Sequence, residues 1–219
     1  YPRLAEVIHD KVAAVRLMND QAQLGLAIGG PVLLLLIGLA PWVITLLYSS
    51  AFEPAVTLLQ WQMIGNVFKL ASWAMSFSIV AAARGKTFFL MELSFNIVFL
   101  GMVLIFLPYV GLEVTAYAFV LGYLIYLTIV YVLARSIHGF RWQTLSLGLL
   151  GLHTSLGLAL LVLVLIAPLA AAIISPLLAA ATGLFGLRIV LSKVGKHGRL
   201  PTRLYGIFER LGWPIQSAV

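Results

Sequence analysis

The chain has 219 residues, of which 62% are hydrophobic and only 10% are charged, and its formal net charge is +7. Soluble domains carry about 25% charged residues, so this composition excludes an ordinary soluble globular protein. The apolar residues gather in runs of about 20, the length that crosses a bilayer as helix, and therefore predict an all-α polytopic membrane bundle. Cysteine is absent, which excludes disulfides, cysteine metal ligands and a thiol nucleophile.

Residues 1–21 are mixed in charge, with apolar residues at near-helical spacing. This pattern is typical of an amphipathic segment on the cytoplasmic surface, and a plain connecting loop fits it equally well. The chain begins Tyr-Pro-Arg, without a Met and without a charged-then-apolar leader. We therefore expect the sequence to be a fragment of a longer protein.

Six apolar runs follow and predict about six transmembrane helices. Lys and Arg residues concentrate in every second connection, and the three other connections contain none. The positive-inside rule then places both termini in the cytoplasm, and the same distribution argues against a nucleic-acid-binding patch. The predicted spans are Ala22–Leu47, Leu58–Ala83, Thr87–Leu107, Thr115–Ala134, Leu145–Ile166 and Ala170–Leu191.

The second run is apolar enough to span a membrane, yet it carries a polar stripe. Its members step by four, three, four and three residues, as one face of a helix repeats, and they are Gln62, Asn66, Lys69, Trp73 and Ser76. Lys69 stands near the middle, roughly 16–20 Å from either end of the span. Because an intramembrane Lys costs roughly 2.5–3.5 kcal/mol on insertion scales, it indicates function, and the stripe should face protein or a wet cavity.

The third run carries Glu92 and Asn96 four residues apart on one face. Glu92 fits either a cavity-lining acid or a partner for Arg84 or Lys86 across the short connection. In the fourth run, tyrosines including Tyr123 fit either interfacial anchors with packing roles or the lining of a polar cavity.

Prolines and glycines interrupt the first run at Gly29-Gly30-Pro31 and at Pro41, and predict a kink or a hinge. His153 in the fifth run fits a hydrogen-bonded interior histidine better than a ligand. The fifth and sixth runs, within 145–191, form an additional transmembrane hairpin. Residues 192–219 form a basic cytoplasmic tail that resembles a surface helix resting on anionic headgroups.

An enzyme is the least supported class. The sequence has no Walker loop, no paired-carboxylate site and no nucleophile with a plausible base. Seven acidic residues and short loops leave little material for a catalytic site. We therefore expect no catalytic residues, no metal and no cofactor.

Several stretches together resemble the C-terminal half of the polysaccharide flippases, the O-antigen-type translocases of the multidrug/oligosaccharidyl-lipid/polysaccharide exporter superfamily. The most specific stretch is Leu59–Lys69, with its Trp-Gln, Gly and Lys pattern. The others are Tyr1–Leu4, Leu46–Phe52, Ala81–Lys86 followed by Glu92, and Gly111–Tyr117. The resemblance covers roughly residues 1–142, and it departs at Asn66, where some relatives carry an acid.

The resemblance implies that residues 22–136 form four helices of a MATE-like transporter lobe, whose N-terminal lobe is missing here. It implies a multi-pass protein of the bacterial cytoplasmic membrane that flips undecaprenyl-diphosphate-linked oligosaccharide, beside glycan polymerase machinery. A cation-coupled multidrug exporter and a non-transporting membrane subunit remain the alternatives.

The polar stripe and the resemblance converge on one substrate hypothesis. Lys69 attracts the diphosphate as a point charge, and its alternative role is a buried pair with an acid on an absent helix. Amide side chains bind sugar hydroxyls and aromatic rings stack on sugar faces. The predicted cavity-lining residues are Lys69, Asn66, Gln62, Trp61, Trp73, Ser76, Glu92, Asn96 and Tyr123.

Overall fold

A computed structural model describes residues 2–48, 50–195, 199–210 and 212–215. This part of the chain forms α-helices joined by short connections, with one 3-10 turn at Ser50–Phe52. The helices are α1 (Pro2–Val7), α2 (Lys11–Leu47), α3 (Ala55–Ala81), α4 (Gly85–Val110), α5 (Glu113–His138), α6 (Thr144–Ile166), α7 (Pro168–Val194) and α8 (Arg199–Arg210).

Six of these helices, α2 to α7, are long and apolar enough to cross a membrane, which confirms the predicted polytopic bundle. Each predicted span falls on one of them. The largest difference is at the start of α2, which begins at Lys11 rather than Ala22. Asp10 caps this helix by accepting hydrogen bonds from the backbone N–H groups of Val12 at 2.9 Å and Ala13 at 3.1 Å. The predicted surface segment is therefore divided between α1 and the first turns of α2.

Helices α2 and α3 form the centre of the bundle. Helix α2 packs against α3, α6 and α7, and helix α3 packs against α2 and α5. Helix α4 lies outside, packed mainly on α5. In the most apolar 18-residue stretch of α3, 61% of residues are buried, against 6% for α4. The helix with the polar stripe is thus the most enclosed of the six.

The connections that carry Lys and Arg meet at one end of the bundle, which we call the basic end. There, a pocket brings residues of the α1–α2 connection next to the α3–α4 connection and the end of α5. Asn19 of α2 donates a hydrogen bond to the carbonyl of Arg141 at 3.0 Å. Lys193 at the end of α7 forms an ion pair with Asp20. The alternating charge pattern therefore corresponds to two distinct ends of the structure.

The prolines of α2 are accommodated by neighbouring helices. Pro41 lacks an N–H, so the carbonyl of Ile37 has no donor within the helix. The buried side chain of Gln60, on α3, donates to that carbonyl at 3.1 Å. Pro31 frees the carbonyl of Ala27 in the same way, and α7 packs directly against it.

The C-terminal segment folds back on α7. Tyr205 and Phe208 of α8 are buried, and the Tyr205 hydroxyl donates to the carbonyl of Leu191 at 2.7 Å. Arg188 donates to the carbonyl of Pro214 at 2.9 Å, and its guanidinium lies 4.7 Å from the centre of the Trp213 ring. The predicted tail thus contains an amphipathic helix, whose apolar face contacts protein.

Candidate functional site

The polar stripe of α3 holds Lys69 against two aromatic rings. The Lys69 ammonium lies 5.4 Å from the centre of the Trp73 ring, one turn along α3, and 5.3 Å from that of Tyr123 on α5. The Lys69 side chain is half-buried. Since a cation is attracted to the face of an aromatic ring within about 6 Å, both rings stabilise the charge of Lys69.

Tyr123 is fixed from the opposite side by α4. Its ring centre lies 4.4 Å from that of Phe95 on α4 and 4.7 Å from that of Phe119, one turn before it on α5. Gly122, beside it, is in close contact with the Phe95 ring, since a Cβ at this glycine would lie 2.9 Å from a Phe95 ring carbon. The three helices α3, α4 and α5 therefore meet at this ring.

The second charged group of the site, Glu92 on α4, binds Tyr126. The Tyr126 hydroxyl donates a hydrogen bond to the Glu92 carboxylate, and the Tyr126 ring is buried. Ser76 of α3 is also buried, and its hydroxyl donates to the carbonyl of Trp73 at 3.1 Å. Tyr126 did not enter the predicted set, although its spacing of three from Tyr123 places it on the same face of α5.

Within the described residues, neither Lys69 nor Glu92 forms an ion pair. The alternative in which Glu92 pairs with Arg84 or Lys86 is therefore not seen, because the carboxylate is directed at Tyr126 instead. Two tyrosines, whose ring centres are 6.0 Å apart, lie between the ammonium and the carboxylate. The structure thus brings together Lys69, Trp73, Ser76, Glu92 and Tyr123, with Tyr126 as an added member.

Four predicted site residues lie apart from this cluster. Trp61 is about 12 Å from Lys69 along the axis of α3 and contacts Tyr117 edge-on at 5.2 Å. Gln62 lines a separate pocket of about 350 Å³ near the Ser50–Phe52 turn. The side-chain amides of Asn66 and Asn96 donate to carbonyls of their own helices, at 2.9 Å in both cases.

A buried polar network at the basic end lies outside the set of residues that the sequence predicts. Asn19 and Gln23, four residues apart on α2, are both fully buried. Asn19 accepts hydrogen bonds from the backbone N–H of Gln143 and the hydroxyl of Ser146, both at 2.8 Å. The Gln23 amide donates to the side-chain oxygen of Gln143 at 2.8 Å and to the Ser146 hydroxyl at 2.9 Å. The spacing of four between two amides at the start of a span was the available signal.

The chemistry that the Lys69 cluster permits is binding. A half-buried ammonium that has no carboxylate partner in the described ranges attracts an anion, and the exposed faces of Trp73 and Phe77 beside it offer apolar contact. In the part of the chain that the structure describes, no group of three His, Asp or Glu side chains converges on a possible metal site.

Helix content and helix length define the class of protein as a multi-pass membrane helix bundle. Comparison with protein-family models, with curated proteins and with solved structures finds no match to this chain. The resemblance to the polysaccharide flippases therefore stays a prediction from the sequence motifs.

Proposed function

We propose that this chain is part of a longer bacterial transporter that flips undecaprenyl-diphosphate-linked oligosaccharide across the cytoplasmic membrane. One observation supports this proposal most directly. The Lys69 ammonium lies near the middle of a membrane-spanning helix, stabilised by two aromatic rings and by no carboxylate among the described residues. Such a charge is costly in the bilayer, and an anionic ligand that reaches it recovers that cost.

A lipid-linked diphosphate fits this site by charge and by polarity. Its two phosphates supply negative charge for Lys69, and the Coulomb attraction is strengthened by the low dielectric of the site. The exposed ring of Trp73 offers an apolar face to a sugar ring. In this proposal the N-terminal lobe of the same transporter encloses the substrate from the open side of α3 and α4.

The alternatives assign different roles to the two charged groups. A cation-coupled drug exporter needs a carboxylate that exchanges ions, and Glu92 is the acid near the site. Its hydrogen bond with Tyr126 favours a fixed structural role for Glu92. A non-transporting subunit needs neither charge, so it makes Lys69 dispensable.

The experiment is Lys69→Ala in the transporter that contains this chain, with Lys86→Ala as the matched control. Lys86 is an exposed lysine at the start of α4, outside the cluster. We expect Lys69→Ala to abolish surface glycan at an unchanged level of membrane-inserted protein, and the control to leave surface glycan normal. Lys69→Arg, which keeps the charge, should retain part of the activity. Normal surface glycan in Lys69→Ala would rule out the proposal.

A further inference from the structure

A second cationic site lies at the basic end, apart from the Lys69 cluster. A pocket of about 380 Å³ opens between the start of α2, the α3–α4 connection and the end of α5. Small-molecule sites commonly measure about 300–1,000 Å³. Arg84, in its wall, lies 15 residues beyond Lys69 and therefore about 20 Å further along the chain's path through the bundle. A ligand here does not contact the Lys69 cluster.

The polar residues that line this pocket are all basic in character. They are His9, Lys11, Arg84 and His138, and no carboxylate is among the lining residues. The nearest acid in sequence, Asp10, is engaged in capping α2 through the N–H groups of Val12 and Ala13. The lining of the pocket therefore carries positive charge and no carboxylate.

His138, beside this pocket, has a buried hydrogen-bonding atom without a partner. Its side chain is 95% buried, and Nε2 has no hydrogen-bond partner among the described residues. Both Arg84 and Lys11 lie close enough to interact electrostatically with the ring. Buried polar atoms in native structures are almost always paired, so a missing partner indicates a ligand or a water. The ring's other hydrogen-bonding contact is with the backbone of Ser78, which leaves Nε2 as the nitrogen without a partner.

The backbone beside the pocket also favours an anion. Ala83, in the pocket wall, has a φ of 56°, the one positive φ of a non-glycine residue in the described ranges. Such strained positions concentrate at functional sites. Arg84 then precedes the first turn of α4, whose N-terminus has no side-chain cap. The free N–H groups and the dipole of a helix N-terminus attract negative charge.

From this combination we propose that the pocket lined by Lys11, Arg84 and His138 binds a phosphate group. Arg and Lys side chains with an adjacent helix N-terminus are the usual donors for phosphate oxygens. The phosphate belongs either to a lipid headgroup at the membrane surface or to a free phosphorylated compound. This proposal does not depend on the flippase assignment, because it concerns binding at a site outside the span.

The test compares two double variants of the full chain, purified in an uncharged detergent. Lys11→Gln/Arg84→Gln removes two charges from the pocket, and both side chains are exposed, so their loss leaves the packing intact. Arg135→Gln/Arg141→Gln is the matched control, because it removes two exposed charges at the same end without touching the pocket lining. Radiolabelled pyrophosphate probes free phosphate. Nanodiscs of phosphatidylcholine with or without phosphatidylglycerol, analysed for retained lipid by mass spectrometry, probe the headgroup.

We expect the pocket variant to weaken saturable binding of at least one of these probes by about tenfold or more, and the control to change it less than about twofold. Pyrophosphate binding identifies a site for free phosphate compounds, whereas retention of phosphatidylglycerol alone identifies a headgroup site. Equal losses in both variants, or no saturable binding of either probe, overturn the proposal.

Discussion

At the scale of single residues, Gln60 has a role that its place in an apolar run conceals. It donates from α3 to the carbonyl of Ile37, which Pro41 has left without a helical donor. An amide in a membrane-spanning helix is expensive unless it is paired, and so is a carbonyl without a partner. Because the Gln60 amide and the Ile37 carbonyl bind each other, neither is left unpaired. The hydrogen bond that α2 lacks at Pro41 is therefore replaced by one that connects α2 to α3.

We expect Gln60→Leu to lower the free energy of unfolding by about 1–2 kcal/mol, because it leaves the Ile37 carbonyl buried and unpaired. Unfolding titrations with a denaturing detergent in mixed micelles measure this change. Gln62→Leu, two residues away and half-buried, is the matched control and should cost little.

The mechanism is tested by repeating Gln60→Leu in a Pro41→Ala background. Alanine restores the N–H that donates to the Ile37 carbonyl, so the same substitution should then cost clearly less. An equal cost in both backgrounds would show that Gln60 stabilises the bundle by packing alone.

At this scale the sequence predicts which residues belong to the site better than it predicts which side chains they contact. Lys69 is recognisable because a charge in the middle of an apolar run is rare and costly. Its contact with Tyr123 and the hydrogen bond between Glu92 and Tyr126 depend on α5 lying between α3 and α4. Helical periodicity defines the face of each helix and carries no information on which helix covers it. For this reason the predicted set includes Asn66 and Asn96, although their amides donate to backbone carbonyls of their own helices.

At the scale of elements, glycines determine how closely α7 approaches α2. A Cβ on Gly186 would lie 2.1 Å from the Ala27 carbonyl oxygen and 2.9 Å from its carbon. A Cβ on Gly38 would lie 2.1 Å from the hydroxyl oxygen of Ser175. Small residues at such crossings allow backbones to pack directly, which supplies much of the association energy inside a bilayer.

We expect Gly186→Ala to destabilise the protein by about 1–3 kcal/mol, because the rigid backbone of Ala27 must move to admit the methyl group. Gly151→Ala on α6 is the control, since no atom lies within 4 Å of a Cβ built there. Alanine is the better helix former, so the control should be neutral or slightly stabilising. Thermal unfolding in detergent compares the two variants. A destabilisation of Gly151→Ala as large as that of Gly186→Ala would contradict this account of the α2–α7 contact.

The helix ends illustrate what an apolar run does and does not predict. The fifth run, predicted from Leu145 to Ile166, corresponds to a helix from Thr144 to Ile166, since a charged segment and a proline bound it. The first run was placed at Ala22, whereas α2 begins at Lys11. Hydropathy detects the part of a helix that suits a membrane, and α2 continues beyond that part through residues that pack or hydrogen-bond at the basic end.

At the scale of the whole molecule, the bundle has one basic end and one end without Lys or Arg in its connections. The polar network of Asn19 and Gln23 and the ion pair of Asp20 with Lys193 join α2 to α6 and α7 at the basic end. Hydrogen bonds and an ion pair therefore hold α6 and α7, the last two spans, against α2. These two spans pack on α2, whereas the Lys69 cluster lies among α3, α4 and α5.

The segregation of charge predicts how the bundle is inserted. By the positive-inside rule the basic end faces the cytoplasm, so the Ser50–Phe52 turn faces outward. We expect a cysteine placed at Glu53 to react with a membrane-impermeant thiol reagent in intact cells. A cysteine at Lys86 should react only after the membrane is permeabilised. Both positions are exposed, and the chain has no native cysteine, so the unsubstituted protein gives the background directly.

The opposite labelling pattern, with Lys86→Cys reactive in intact cells, would show that the topology is the reverse of the predicted one. The proposed phosphate pocket would then lie on the outer surface. In the proposed transporter, lipid-linked oligosaccharide would then reach the basic end only after translocation. Labelling of Glu53→Cys alone keeps the basic end beside the cytoplasmic leaflet, where anionic headgroups and phosphorylated compounds are both present. The orientation of the bundle thus determines on which side of the membrane the pocket lies, and labelling decides it without any assay of transport.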